Sequence, residues 1–237
     1  MDEARVLAGW VAVVADDEQF SRSIIVRMVR ELGCADALTA RNGQDALDLL
    51  RSTNNQRRLV IADFSMPKVD GLALVKCIRT GAAGVANDAP VVMLTGHSDF
   101  ALVKAAMQLD VDAFVVKPAS KAQLASRLGK ALSEARNIKT ADAYADINID
   151  DVRGRMLSRE PPGRLRPQAG RRGARNTVRL KLEDVREGQV LAEDIRAPDG
   201  ELLLGVGMEL NARFLRRLKE LATVVKLEYL TIEGGKV

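Results

Sequence analysis

Along the first 140 residues, short unbroken apolar runs alternate with longer stretches whose apolar positions recur every three or four residues. VAVVA (11–15) precedes a helical pattern over about 17–32, and DALTA (36–40) precedes one over 43–51. LVIAD (59–63) precedes 71–80, VVMLT (91–95) precedes 100–109, and DAFVVK (112–117) precedes 121–136. Apolar runs without alternation fit strands buried on both faces, and a helix after each strand supplies the covers. Because the crossovers between parallel strands are right-handed, five such repeats predict an α/β fold built on a doubly wound five-stranded parallel sheet.

The pattern changes near residue 178. VRLKL, QVLAEDI, ELLLG and VVKLEYLTI read as strands, Ala197-Pro198-Asp199-Gly200 as a tight turn, and Asn211 as the cap of one helix. The apolar positions Phe214, Leu215, Leu218 and Leu221 share a face of that helix. This predicts a small α+β module over 178–237. About sixty residues bury too little surface for comfortable independence, so the module is expected to dock, to pair with itself or to be marginal. Between the two lies an Arg-, Pro- and Gly-rich stretch without apolar period, read as a linker over 139–177 after a first domain over 1–138.

Charge sharpens this division. The chain carries +4 in all, but residues 1–152 sum to −2, 153–179 to +8 and 180–237 to −2. The basic character therefore belongs to the linker. An apolar share of 47% excludes disorder throughout. The apolar N-terminal run VLAGWVAVVA is too short for a bilayer and predicts neither signal peptide nor anchor, hence a cytoplasmic protein without a membrane partner. Cys34 and Cys77 lack paired-ligand spacing and read as free thiols.

Chemistry is expected at the carboxyl ends of the strands, where open parallel sheets bind ligands. The first strand ends in Asp16-Asp17, the third in Asp63, the fourth in Thr95 and the fifth in Lys117. Taken singly, each fits a plain role: a helix cap, a strand residue, a solvated terminus. Together they place three acids, a hydroxyl and an amine on one edge. Clustered carboxylates repel, and a hard divalent cation with oxygen ligands relieves that repulsion; a sparse ligand set with room for water and phosphate suits Mg²⁺. One carboxylate could then attack phosphorus, with Lys117 and Thr95 on the phosphoryl oxygens.

The motifs VVADDE, DFSMPKVDG, LTG and FVVKP, in that order over about residues 10–136, resemble the receiver domain of two-component response regulators, a flavodoxin-like fold. The resemblance implies that Asp16 and Asp17 hold Mg²⁺ and that Asp63 ligates it and accepts phosphate from a sensor histidine kinase or phosphotransfer protein. It further implies that Ser65 lends its backbone carbonyl to the ion, that Thr95 and Lys117 read the phosphoryl group, and that Lys117-Pro118 is cis. Phe114 takes the place of the aromatic switch, and Ser65 and His97 take the two positions that tune the phosphoryl lifetime. On this reading the chain is no enzyme beyond its own phosphorylation and autodephosphorylation.

The C-terminal stretches EGQVLAEDI, DGELLLGVGMEL and RFLRRLKEL resemble a small segment beside the catalytic domain of HD-GYP phosphodiesterases. Such enzymes need several metal-binding histidines, whereas this chain has one, and no GGDEF-like run occurs. The favoured output is therefore an interaction module that meets its own receiver, a second copy (a homodimer) or a downstream protein. The alternative is nucleic-acid binding, motivated by nine Arg between 153 and 179 and by the basic helix NARFLRRLKEL. A third is a receiver that signals alone, as in chemotaxis regulators.

Overall fold

The computed structural model describes residues 5–52, 57–82, 84, 86–96, 105–134, 136, 138–149, 177–196, 202–210, 212, 215, 218–219 and 227–234. The chain divides into two compact units, Met1–Asp150 and Asp151–Val237.

In the first unit, strands β1 (Trp10–Ala15), β2 (Asp36–Ala40), β3 (Arg57–Asp63), β4 (Val91–Thr95) and β5 (Ala113–Val116) form one sheet in the order β2-β1-β3-β4-β5. Every pairing is parallel, as the unalternated apolar runs require. Helices α1 (Gln19–Glu31), α2 (Gly43–Ser52), α3 (Gly71–Arg79) and α4 (Lys121–Ser133) connect or follow the strands, and residues 105–108 are also helical. Successive strand residues face opposite sides. Ala12, Val14, Leu59, Ile61, Val92, Leu94, Ala113 and Val115 pack with Ile25, Val29, Leu124 and Leu128 of α1 and α4. The alternate set, including Val13, Val60, Ala62 and Met93, is likewise buried, as are the inner positions of α2 and α3. The remainder of the predicted helix 100–109 lies outside the described residues.

Two boundaries differ from the sequence reading. Helix α4 stops at Ser133 rather than near 136 because Glu134 turns extended (ψ 140°). Arg136 then sends its guanidinium to the Ala131 carbonyl and to Asp112. The segment assigned to the linker from residue 139 is folded up to 149. A short helix α5 (Ala141–Ala145) buries Tyr144 completely, and its hydroxyl donates to Asp110 Oδ2 at 3.0 Å. Lys76 of α3 donates to the carbonyls of Ala145 and Ile147. The buried residues Tyr144 and Ile149 are five apart and repeat no helical or strand period, so the sequence gives no sign of it. The rest of the linker lies outside the described residues.

Among its described residues the second unit carries three antiparallel pairs: β6 (Thr177–Lys181) with β11 (Tyr229–Glu233), β7 (Gln189–Val190) with β10 (Glu209–Leu210), and β8 (Ile195–Arg196) with β9 (Leu202–Leu204). The predicted strand QVLAEDI is thus broken in two. An unbroken strand would put Glu193 on the same face as the buried Leu191 and Ile195; instead Glu193 is exposed and accepts from Thr231 Oγ1. Residues 212, 215, 218 and 219 are helical, with Leu215 and Leu218 buried, as the amphipathic reading expects. Asn211, Phe214, Leu221 and the predicted turn 197–200 lie outside the described residues. No described helix is long and apolar enough to cross a membrane.

Candidate functional site

The parallel sheet delivers its acids, hydroxyl and amine to one edge. Asp16 follows β1, Asp63 ends β3, Thr95 ends β4, and Lys117 follows β5. Register sets Asp63 beside Leu94, one residue before Thr95, and the Lys117 backbone N–H donates to the Thr95 carbonyl at 2.8 Å. Asp16 and Thr95 are fully buried, Asp63 is 8% exposed, and Asp17 faces solvent. Single carboxylate oxygens of Asp16, Asp17 and Asp63 lie within 4.8 Å of one another.

Lys117 closes the cluster. Its ammonium lies 2.7 Å from Asp63 Oδ1 and 3.0 Å from Asp16 Oδ2. Burial raises the pKa of the Asp63 carboxyl; Asp16 adds to that rise, while Lys117 and the Ser65 N–H oppose it. For Lys117, burial works against the charge, but bonding to Asp63 and Asp16 outweighs it and holds the ammonium above its usual pKa. Three carboxylates with one exposed member, all oxygen donors, fit a small hard divalent cation such as Mg²⁺.

The loop after β3 is shaped by close approach. The Ser65 N–H donates to Asp63 Oδ2 at 3.2 Å, and Asp70 caps α3 by accepting from the Ala73 N–H. A Cβ on Gly71, at the end of the loop, would lie 2.3 Å from the Asp63 carbonyl oxygen, and one on Gly43, at the start of α2, would lie 2.6 Å from Val69, so both positions against the loop admit only glycine. Phe114 points inward, 2% exposed and stacked on Phe64 at 6.3 Å. Thr95 Oγ1 donates to the Gly96 carbonyl. The Lys117-Pro118 bond is cis. His97 lies outside the described residues.

The structure thus brings together Asp16, Asp17, Asp63 and Lys117, with Thr95 and Ser65 on the adjoining backbone. Sequence reasoning missed Gly71 and Gly43 as neighbours of the acid loop. It also missed Ser21 and Arg22, which reach back from α1 to the acids: Ser21 Oγ donates to Asp16 Oδ2 at 2.6 Å and Arg22 to the Asp16 carbonyl at 2.6 Å. A Ser-Arg pair in a helix gives no sign of such contacts.

Residues 12–129 match the family described as response regulator receiver domain. A chemotaxis protein CheY homolog from Campylobacter jejuni is 35% identical over 116 residues, covering 49% of this chain and 87% of that protein. Among solved structures, the receiver domain of NtrX from Brucella abortus is 26% identical, covering 52% of this chain and 99% of that one, with a TM-score of 0.47. The signal receiver domain of a signal transduction histidine kinase from Syntrophus aciditrophicus is 28% identical, covering 56% and 99%, with a TM-score of 0.45. These matches concern the N-terminal half. With the acids, amine and hydroxyl of the family's motifs on one sheet edge and a relative matched over most of its length, the chain belongs to the response regulator receiver-domain family of two-component signalling.

Proposed function

We propose that Asp63 is the phosphoacceptor of this response regulator and that the donor is a phosphohistidine on a sensor histidine kinase or phosphotransfer protein. Mg²⁺ would be held by Asp16, Asp17, Asp63 and the Ser65 carbonyl. The observation that carries this reading is the Lys117 ammonium shared between Asp63 and Asp16 at the mouth of a three-carboxylate cluster. Bound there, the cation would offset the carboxylate repulsion and supply positive charge for the phosphoryl oxygens. An Asp63 oxygen attacks phosphorus, the P–N bond to the donor imidazole breaks, and the imidazole leaves with the bonding pair and takes up a proton. Lys117, already facing Asp63, pairs with the phosphoryl group, and Thr95 turns its hydroxyl from the Gly96 carbonyl to a phosphoryl oxygen. Phe114, stacked inward, is the switch that follows Thr95. Ser65 and His97 shape water access and so the phosphoryl lifetime; hydrolysis of the acyl phosphate resets the site.

The output is protein–protein interaction or self-association, supported by a small unit of short antiparallel strands in a chain whose one histidine sits at position 97. The test of the site is incubation with acetyl phosphate and Mg²⁺. Intact mass is expected to gain one phosphate in the wild type and none in Asp63→Asn, while Asp17→Ala loses Mg²⁺ affinity. Equal labelling of Asp63→Asn sinks the assignment.

A further inference from the structure

We propose that Ser21 and Arg22, in the first turn of α1, are positioning residues that fix the acid pair for the cation. The inference rests on the reading of the cluster as a Mg²⁺ site and adds to it which oxygens are held and by what. Asp16 is fully buried, and among the described residues its carboxylate accepts three hydrogen bonds. The Glu18 N–H takes Oδ1 at 2.9 Å, while Ser21 Oγ at 2.6 Å and Lys117 Nζ at 3.0 Å both take Oδ2. A carboxylate offers about four lone-pair sites, so the remaining one is on Oδ1. Ser21 and Lys117 together saturate Oδ2 and leave Oδ1 as the oxygen Asp16 can turn to a cation or its water. Arg22 acts on the backbone of the same pair: its Nη1 donates to the Asp16 carbonyl at 2.6 Å and to the Asp17 carbonyl at 3.4 Å. Among the described residues it makes no ion pair with a carboxylate.

The helix itself does not account for these contacts. At a helix N-terminus the unmet groups are N–H donors, which need acceptors, and the dipole there favours negative charge. Ser21 acts as a donor and Arg22 is a cation, so neither serves the end of α1. That end makes no side-chain cap at Glu18 and has no acid in its first turn. The neighbouring Ser23 shows the ordinary alternative, donating to the Gln19 carbonyl one turn back. Ser21 instead reaches five residues back to a buried carboxylate. A donor locked onto one oxygen fixes the rotation of the carboxylate, and a guanidinium on two successive carbonyls fixes the backbone from which both acids project. Groups that hold metal ligands in this way commonly govern affinity by one to two orders of magnitude.

The experiment is calorimetric Mg²⁺ titration of the full chain as wild type, Ser21→Ala, Ser21→Thr and Arg22→Met, with melting of each in EDTA alongside. Ser21→Ala and Arg22→Met are expected to bind Mg²⁺ about tenfold more weakly. Ser21→Thr, which keeps the hydroxyl, restores the affinity. Melting in EDTA separates a fold effect from a site effect: a purely structural role lowers the melting temperature and leaves Mg²⁺ affinity at the wild-type value, which would overturn the proposal. Equal loss in Ser21→Thr and Ser21→Ala would also overturn it, since the hydroxyl would then be irrelevant. If the wild type binds Mg²⁺ and only the positioning variants fail to weaken it, the cation site stands without this mechanism. A wild type that binds no Mg²⁺ brings down both.

Discussion

At residue scale, Gly71 shows how a position without functional atoms governs a site. It opens α3, where alanine would be the better helix former by about 1 kcal/mol. The Cβ of an alanine would meet the Asp63 carbonyl oxygen at 2.3 Å and Met93 Cε at 2.6 Å. The methionine can yield, whereas the carbonyl cannot move without displacing the carboxylate on the same residue. Sterics therefore outweigh propensity. Gly71→Ala is expected to cost about 1–3 kcal/mol, as overpacked cores do, read as a lower urea midpoint at unchanged slope. Its larger effect is on labelling of Asp63 by acetyl phosphate, which falls even under conditions where the variant is fully folded. The acids, Thr95 and Lys117 were legible in the sequence because strand ends converge on one edge whatever the side-chain detail. Gly71, Ser21 and Arg22 were not, because their roles depend on distances that only the packed helices set.

At the scale of elements, the five parallel strands and their helices were legible because burial on both faces leaves a short unalternated apolar run, and each run is followed by a stretch of helical period. The segment 139–149 was illegible for the opposite reason: it is held by two unperiodic buried side chains, Tyr144 and Ile149, and by polar contacts. Tyr144 is fully buried; its hydroxyl donates to Asp110 and accepts from the Lys139 N–H, and Lys139 Nζ reaches both Asp110 and the Gln108 carbonyl. Asp110 itself has φ +53°, a left-handed backbone that these bonds help to hold. Removing only the hydroxyl, Tyr144→Phe, is expected to cost about 1–2 kcal/mol by urea unfolding, because it leaves polar partners unmet in a buried place. Burial raises the phenol pKa, and the Asp110 charge adds to the rise. A group whose pKa is higher folded than unfolded contributes its full stability below the unfolded value, about 10, and loses it as pH rises through the folded one. Between pH 8 and 11 the wild type is therefore expected to lose more stability than Tyr144→Phe. Parallel pH curves for the two would show that the phenol is not held as described.

At the scale of the molecule, charge divides the sequence. The +8 carried by residues 153–179, between two stretches of −2 each, is the only strongly basic block in the sequence. If the output is protein interaction, replacing Arg164, Arg166, Arg171, Arg172 and Arg175 with Ser leaves the response to beryllofluoride unchanged. Any nucleic-acid binding is then weak and collapses between about 50 and 200 mM salt. Binding that survives 200 mM salt and vanishes with those arginines would favour the nucleic-acid alternative. Heat provides the complementary measurement, because two compact units need not melt together. The acid cluster belongs wholly to the first unit, so Mg²⁺ can stabilise only what is cooperative with that unit. At about 100 times its dissociation constant a ligand adds about 2.7 kcal/mol, which for a domain of this size raises the midpoint by about 5–10 °C. Calorimetry of the full chain is expected to show one transition that moves with Mg²⁺, at the position where a chain ending at residue 150 melts, and a second that stays. Should both move together, the units fold as one, and a signal at Asp63 would reach the C-terminal strands through shared stability rather than through a change of partner.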